Sequence, residues 1–188
     1  MPVRRMRIRP FHATLEGSAM IRILFVCHGN ICRSPMAEFA MKKLVQGKNR
    51  QAEFHIESAA TSSEEIGNPV YPPAKRILER HGIDASGKTA RRMTAHDLEI
   101  FDYIVLMDEN NLRNLRGILS GETFRKECLA TANDPFSRRF RKISLLMDYT
   151  DSPRDVADPW YTGDFEATWR DVETGCKNFL DLLDCYRK

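Results

Sequence analysis

Cys27 and Arg33 stand six residues apart in the stretch Cys27-His28-Gly29-Asn30-Ile31-Cys32-Arg33-Ser34-Pro35. Those two residue types at that spacing suit the capture and attack of a tetrahedral oxyanion. A cysteine sulfur is nucleophilic as its thiolate, and a guanidinium is a planar fork that grips two oxygens at once. Two cysteines taken alone are more often small core-fillers, but the Gly, Asn, Arg, Ser and Pro around this pair describe a polar loop. Ahead of the loop, Ile21-Arg22-Ile23-Leu24-Phe25-Val26 reads as a buried strand. Beyond it, Pro35 suits a first helical turn, since its φ is fixed and it has no N–H to lose. Met36, Ala37, Ala40, Met41 and Leu44 recur at helical spacing, with Glu38, Lys42 and Lys43 facing elsewhere. A loop running from a strand into a helix N-terminus gathers backbone N–H groups in one place, and the helix dipole favours an anion there. Such surroundings make a thiol more acidic than a free one, so Cys27 is expected as a ready nucleophile.

An attack by that sulfur would split a hydrolysis into two steps through a covalent intermediate. It needs an acid for the leaving group and a base for the water. Asp158, in Asp158-Pro159-Trp160-Tyr161, is the candidate for both. An isolated Asp-Pro is first of all a turn former. Two aromatics beside an acid in a loop are harder to bury, and they suit the wall of a cleft.

The two stretches together resemble the low-molecular-weight protein tyrosine phosphatases. Cys27 to Pro35 looks like that family's phosphate-binding loop, and Asp158 to Tyr161 like its acid loop. The likeness runs from about Met20 to the C-terminus, through Ile56-Glu57-Ser58-Ala59-Ala60-Thr61 and Phe101-Asp102-Tyr103-Ile104-Val105-Leu106-Met107-Asp108. It implies hydrolysis of phosphotyrosine and aryl phosphates through a cysteinyl-phosphate, with Cys27 as nucleophile, Arg33 binding phosphate and Asp158 as general acid and base. His28, Gly29, Asn30, Ile31, Cys32 and Ser34 would form the loop, with Asn30 left-handed and Ser34 bonded to the sulfur. Ser58 would support the loop, although alone it reads equally as a strand-end turn residue. Trp160, Tyr161 and Glu64 would line the substrate cleft, Glu64 falling where some relatives carry an aromatic wall. The resemblance also implies that Cys32 protects Cys27 through a reversible disulfide. No cofactor or metal is implied; the partner is a phosphotyrosine-containing protein and the product inorganic phosphate.

Lys88 departs from the family, which often has a histidine in the supporting network; a lysine cannot accept a hydrogen bond as neutral imidazole can. Asp108 is either a helix N-cap or a site residue. Three rival readings carry less. Arsenate reductase needs resolving cysteines close together downstream, and Cys128 stands alone in mid-chain. An arginine phosphatase tends to carry threonine at the Ile31 position. An anion-binding module would not need cysteine, arginine and acid all intact.

The 188 residues are 42% hydrophobic, enough for one domain with a sizeable core. A net charge of +3, with both signs mixed along the chain, gives no reason to expect nucleic acid. Five cysteines without a framework spacing favour free thiols in a reducing cytosol. No apolar run approaches the roughly 18 residues of a membrane span. The expectation is a cytoplasmic monomer or weak dimer without membrane contact. Residues 1–19, with Arg4, Arg5, Arg7 and Arg9 but no following apolar core, are expected to be a disordered basic extension or to precede a working start at Met20. Residues 20–188 would form the phosphatase domain.

The elements that must position these residues alternate between strand and helix. Phe54 to Ser58 alternates apolar and polar, as an edge strand does. Pro73 opens a helix through His81, with Gly82 beyond its end. Thr94 to Asp97 starts a short helix to about Ile100. Tyr103 to Met107 reads as a central strand, followed by a helix through Leu119. Gly121 to Arg141 should hold a helical turn and an exposed loop, and Ile143 to Met147 the last strand. Phe165, Trp169, Val172, Cys176, Phe179 and Leu183 mark a long closing helix. The predicted fold is α/β: a doubly wound, four-stranded parallel sheet flanked by helices, with ligands beyond the carboxyl ends of its strands.

Overall fold

Strand β1 (Ile21–Cys27) is apolar on both faces because it lies inside a sheet that helices cover on both sides. Ile21, Ile23, Phe25 and Cys27 join one buried cluster, while Leu24 and Val26 join the other. A computed structural model describes residues 20–129 and 138–186 of the chain. The arginine-rich stretch 1–19 lies outside the described residues, as do 130–137 of the segment expected to form an exposed loop.

Helix α1 (Arg33–Gly47) returns the chain to β2 (Phe54–Ala60), which pairs parallel with β1 in the register Cys27 to Ala60. Helix α2 (Pro72–Arg80) ends where Gly82 takes a φ of 67°, a left-handed turn that glycine adopts without a steric penalty. A one-turn helix α3 (Asp97–Ile100) precedes β3 (Tyr103–Leu106), which pairs parallel with the other side of β1. Helix α4 (Glu109–Asn114) and α5 (Gly121–Phe124) lead to β4 (Ile143–Leu145). The sheet order is β2-β1-β3-β4, all parallel, with β2 at an edge. A short helix Pro159–Thr162 and the closing helix Phe165–Tyr186 complete the chain.

The closing helix packs with α1 and α2 on one face, burying Trp169, Val172, Cys176, Phe179 and Leu183. It sits so close to Leu146 that a Cβ on Gly175 would lie 2.6 Å from Leu146 Cγ. On the other face, Phe101, Leu112, Leu115, Leu119, Phe124 and Cys128 cover Leu24, Val26, Ile104 and Leu106.

Three expectations need correction. The helix after Asp108 does not run to Leu119: it becomes a 3-10 turn over Leu115–Gly117, where glycine weakens the α-helix. The last strand stops at Leu145 rather than Met147. There Asp148 accepts the Leu145 N–H at 2.8 Å and, held by Arg138 Nε at 2.6 Å, turns the chain into a 3-10 helix over Leu146–Tyr149. Glu38 does not face solvent with the lysines of α1 but is 3% exposed, held among polar partners behind the loop.

Candidate active site

Cys27, Asp108 and the loop that follows β2 all lie at the carboxyl ends of strands, and there the chain opens a cleft of about 390 Å³. Its floor is Cys27, Gly29, Ile31, Cys32 and Arg33, and its walls include His28, Glu64, Glu65, Asp108, Asp158, Trp160 and Tyr161. Asn30, Ser34 and Ser58 do not face the cleft; they are buried behind the loop and bond it in shape.

Asn30 takes a φ of 59°, a left-handed turn that asparagine tolerates better than most residues. That turn brings the Asn30 N–H to 3.3 Å from Cys27 Sγ, while Ser34 Oγ lies 3.0 Å from the same sulfur. Cys32 caps α1 without a side-chain bond, and no acidic residue lies in the first turn. The opening N–H groups of a 15-residue helix therefore remain for an anion from outside the helix.

Arg33 is buried, and its guanidinium lies between two carboxylates: Nη1 is 2.5 Å from Asp108 Oδ2 and Nη2 is 2.6 Å from Asp158 Oδ2. Burial opposes its charge, but Cys27, Asp108 and Asp158 outweigh that and hold its pKa above the ordinary arginine value. Asp108 is both of the things its position allowed. Its Oδ1 accepts the Asn111 N–H at 2.5 Å as the N-cap of α4, while its Oδ2 orients Arg33. Asp158 caps the helix Pro159–Thr162 through the Trp160 N–H at 3.0 Å and keeps its other oxygen on Arg33.

At the mouth, Trp160 and Tyr161 are 61% and 86% exposed, and the Trp160 ring leans on Tyr71 with centroids 5.6 Å apart. Glu64 meets the His28 ring, Oε2 to Nε2 at 3.1 Å, so this part of the wall is polar. Cys32 is buried on the floor, and burial first, then the Cys27 sulfur and Asp158, push its thiol up to about 12. Cys27 and Cys32 are both unpaired. Among the described residues, no group of three or more His, Cys, Asp and Glu side chains is gathered so as to hold a metal ion.

Behind the loop, Asn30 Nδ2 donates to Ser34 Oγ at 2.9 Å and to Ser58 Oγ at 2.8 Å. Ser58 Oγ in turn donates to Glu38 Oε2 at 2.5 Å, and Lys88 Nζ sits 2.9 Å from that oxygen. Sequence reasoning missed Glu38 and left Lys88 without a partner; each supplies what the other's burial requires.

A family model described as Low molecular weight phosphotyrosine protein phosphatase matches residues 22–187. The chain is 37% identical to the low molecular weight protein-tyrosine-phosphatase YfkJ of Bacillus subtilis, over 86% of this chain and 94% of that one. It is 40% identical to the human low molecular weight phosphotyrosine protein phosphatase, over 85% of this chain and 93% of the relative. The crystal structure of YfkJ superposes with a TM-score of 0.77 at 35% identity, covering 90% of this chain and 98% of that one.

Proposed function

The chain belongs to the low molecular weight phosphotyrosine protein phosphatase family, and from that premise we propose that it hydrolyses phosphotyrosine with Cys27 as nucleophile, Arg33 as phosphate ligand and Asp158 as general acid and base. It is a protein tyrosine phosphatase of the low-molecular-weight class. The observation that carries the residue roles is Asp158 held 2.6 Å from the guanidinium of Arg33, in the cleft floored by Cys27.

The phosphate dianion enters between the α1 N-terminus and the Arg33 fork, which binds two equatorial oxygens and takes up the charge of a loose transition state. As phosphate occupies the fork, Asp158 turns from Arg33 toward the bridging oxygen. Cys27 Sγ forms the S–P bond while the P–O bond to tyrosine breaks, and Asp158 gives its proton to the departing phenolate. Water then attacks phosphorus, Asp158 takes the proton, and the S–P bond breaks to release inorganic phosphate. Ser34 Oγ and the Asn30 N–H bond the sulfur as it leaves. His28, Gly29 and Ile31 shape the loop, and Trp160 and Tyr161 receive the substrate ring in the cleft that Glu64 also lines.

The substrates are phosphotyrosine-containing proteins, and we place the enzyme in the cytoplasm as a monomer or weak dimer that needs no metal. Five unpaired cysteines support a reducing compartment. Among the described residues no helix is long and apolar enough to cross a membrane. The family match begins at residue 22, which supports keeping residues 1–19 apart from the catalytic unit. Cys32 stands ready as the redox partner of Cys27.

The deciding experiment is hydrolysis of para-nitrophenyl phosphate by the purified chain in the presence of a chelator. Turnover by wild type and none by Cys27→Ser supports the assignment; a chain that binds vanadate yet never turns over would be an anion-binding module instead.

A further inference from the structure

Asp158 rests its carboxyl on Arg33 and, in its assigned role, turns it to a leaving oxygen, so the backbone that carries it has to stay fixed. Pro159 restricts the chain on the far side. On the near side, two residues of the closing helix grip Ala157. Asp171 Oδ2 accepts the Ala157 N–H at 3.2 Å, and Thr168 Oγ1 donates to the Ala157 carbonyl at 2.8 Å. Thr168 and Asp171 are three positions apart on the helix, hence on one face, and both are buried. The Ala157 carbonyl belongs to the same planar peptide as the Asp158 nitrogen, so the Thr168 bond sets the plane from which Asp158 projects.

We propose that Asp171 and Thr168 are positioning residues for the general acid: together they hold the peptide before Asp158 so that its carboxyl reaches the leaving oxygen. The inference rests on the reading of Asp158 as that acid. Neither residue lines the cleft, so each would act through Ala157.

A carboxylate buried on a helix face is costly to desolvate, and an apolar side chain could pack there instead. Arg154 offsets that cost: its Nη1 and Nη2 grip the two oxygens of Asp171 at 2.6 and 2.5 Å. Asp171 so held is an acceptor only, and the Ala157 N–H is what it accepts beside Arg154. Thr168 has one hydroxyl hydrogen and two carbonyls in reach, of which that of Asp164, at 3.3 Å, is the farther. The segment is also pinned upstream. The Val156 N–H donates to the Met107 carbonyl at 2.8 Å, and Asp155 Oδ1 accepts the Glu109 N–H at 3.0 Å. Those bonds tie it to the strand end that carries Asp108, on the other side of Arg33. Asp171 and Thr168 add the last peptide before the acid, where a misplacement of about 1 Å can cost on the order of 10²-fold.

The test measures kcat/KM, which covers the steps through phenol departure, for phenyl, para-nitrophenyl and dinitrophenyl phosphates. Wild type, Asp171→Ala, Thr168→Val and Asp158→Asn are compared, with Asp171→Ala also made in the Asp158→Asn chain. Asp171→Ala should lose about tenfold on phenyl phosphate but about twofold or less on dinitrophenyl phosphate, whose phenolate departs without a proton. Thr168→Val should lose in the same order. Vanadate affinity should stay as in wild type, since Arg33 and the α1 N-terminus are untouched. In the Asp158→Asn chain, Asp171→Ala should cost nothing further, because no acid remains to be placed. A merely structural role lowers all three substrates by one factor in both backgrounds, and that result overturns the proposal. A fall in vanadate affinity that matches the loss of rate overturns it too. Should Asp171→Ala fail to fold, Thr168→Val decides, and a wild-type dependence on the phenol there is equally fatal. The Asp158→Asn chain separates the two levels. If it keeps the wild-type dependence, the acid reading fails and the proposal with it. If it steepens the dependence while Asp171→Ala does not, only the positioning role fails.

Discussion

Asp158 Oδ2 lies 2.6 Å from Arg33 Nη2, so the residue assigned to the proton and the residue assigned to the phosphate share one contact. On the proposed mechanism, the phosphate that needs the guanidinium would also displace the carboxyl toward the leaving oxygen. Substrate binding and delivery of the acid would then be one movement.

Asp158→Asn should lower kcat for para-nitrophenyl and phenyl phosphates about 10²–10⁴-fold, the usual worth of a positioned acid. The loss should shrink as the phenol becomes more acidic, because such groups depart without a proton. A plot of log kcat against leaving-group pKa should therefore steepen in the variant. Parallel lines would take the acid role from Asp158.

Cys27→Ser should bring turnover to background while phosphate and vanadate still bind, since the α1 N-terminus and Arg33 are untouched. Arg33→Ala should lose binding and rate together. It also leaves Asp108 and Asp158 facing each other without the cation between them. Calorimetric titration with vanadate distinguishes the two variants, and equal affinities would mean that Arg33 is not the phosphate ligand.

The loop from Cys27 to Pro35 was legible because its parts are local: the cysteine, the left-handed Asn30, the arginine and the helix-opening proline lie within one short stretch of sequence. The place of Asp158 on the cleft was legible because two aromatics follow its proline, and the fold brings all three to the cleft. Glu38 was not, because a glutamate on the polar side of an amphipathic helix ordinarily faces water, and its partner Lys88 is distant in sequence. Asp108 was half legible: its strand-end position announced a cap, but only the fold brings Arg33 to its other oxygen. The end of β4 misled because Leu146 and Met147 continue its apolar run, and apolarity does not report the turn that Asp148 and Arg138 impose.

Stability should depend on acid through Glu38. Its folded pKa is depressed below the ordinary 4.5, so its contribution is present above about that pH and is lost as pH falls through the depressed value. Lys88→Met weakens the depression and leaves a buried carboxylate poorly compensated. The variant should melt well below wild type at neutral pH, with the gap closing as pH falls through the depressed value and Glu38 protonates in both. Thermal unfolding midpoints across that range check this, and a gap constant with pH would contradict it.

Glu64 sets the character of its part of the cleft wall. Its carboxylate, 3.1 Å from the His28 ring, repels an incoming dianion and offers no ring face. Glu64→Tyr should lower KM for aryl phosphates about threefold by adding an aromatic contact. It should leave kcat unchanged, because Glu64 does not touch the reacting atoms. A change confined to kcat would put Glu64 in the chemistry rather than in the wall.

The proposed hydrolysis gives Cys32 no direct step, yet it lines the same floor as Cys27. Burial first, then the Cys27 sulfur and Asp158, push its thiol up to about 12, so it stays protonated and peroxide should meet Cys27 first. Oxidation of Cys27 by peroxide gives a sulfenic acid and water. The Cys32 sulfur then attacks, an S–S bond forms, and a second water leaves. The enzyme stops, but Cys27 is shielded from the sulfinic and sulfonic acids that cannot be reversed by thiols. Closure needs the two Cα atoms within about 7 Å, a span that a loop curled by the left-handed Asn30 can meet. After a peroxide pulse and then dithiothreitol, wild type should regain most of its activity and Cys32→Ser much less. Peptide mapping before reduction should find Cys27 joined to Cys32. Equal recovery of the two proteins, or a map without that linkage, would leave Cys32 as packing beneath the loop.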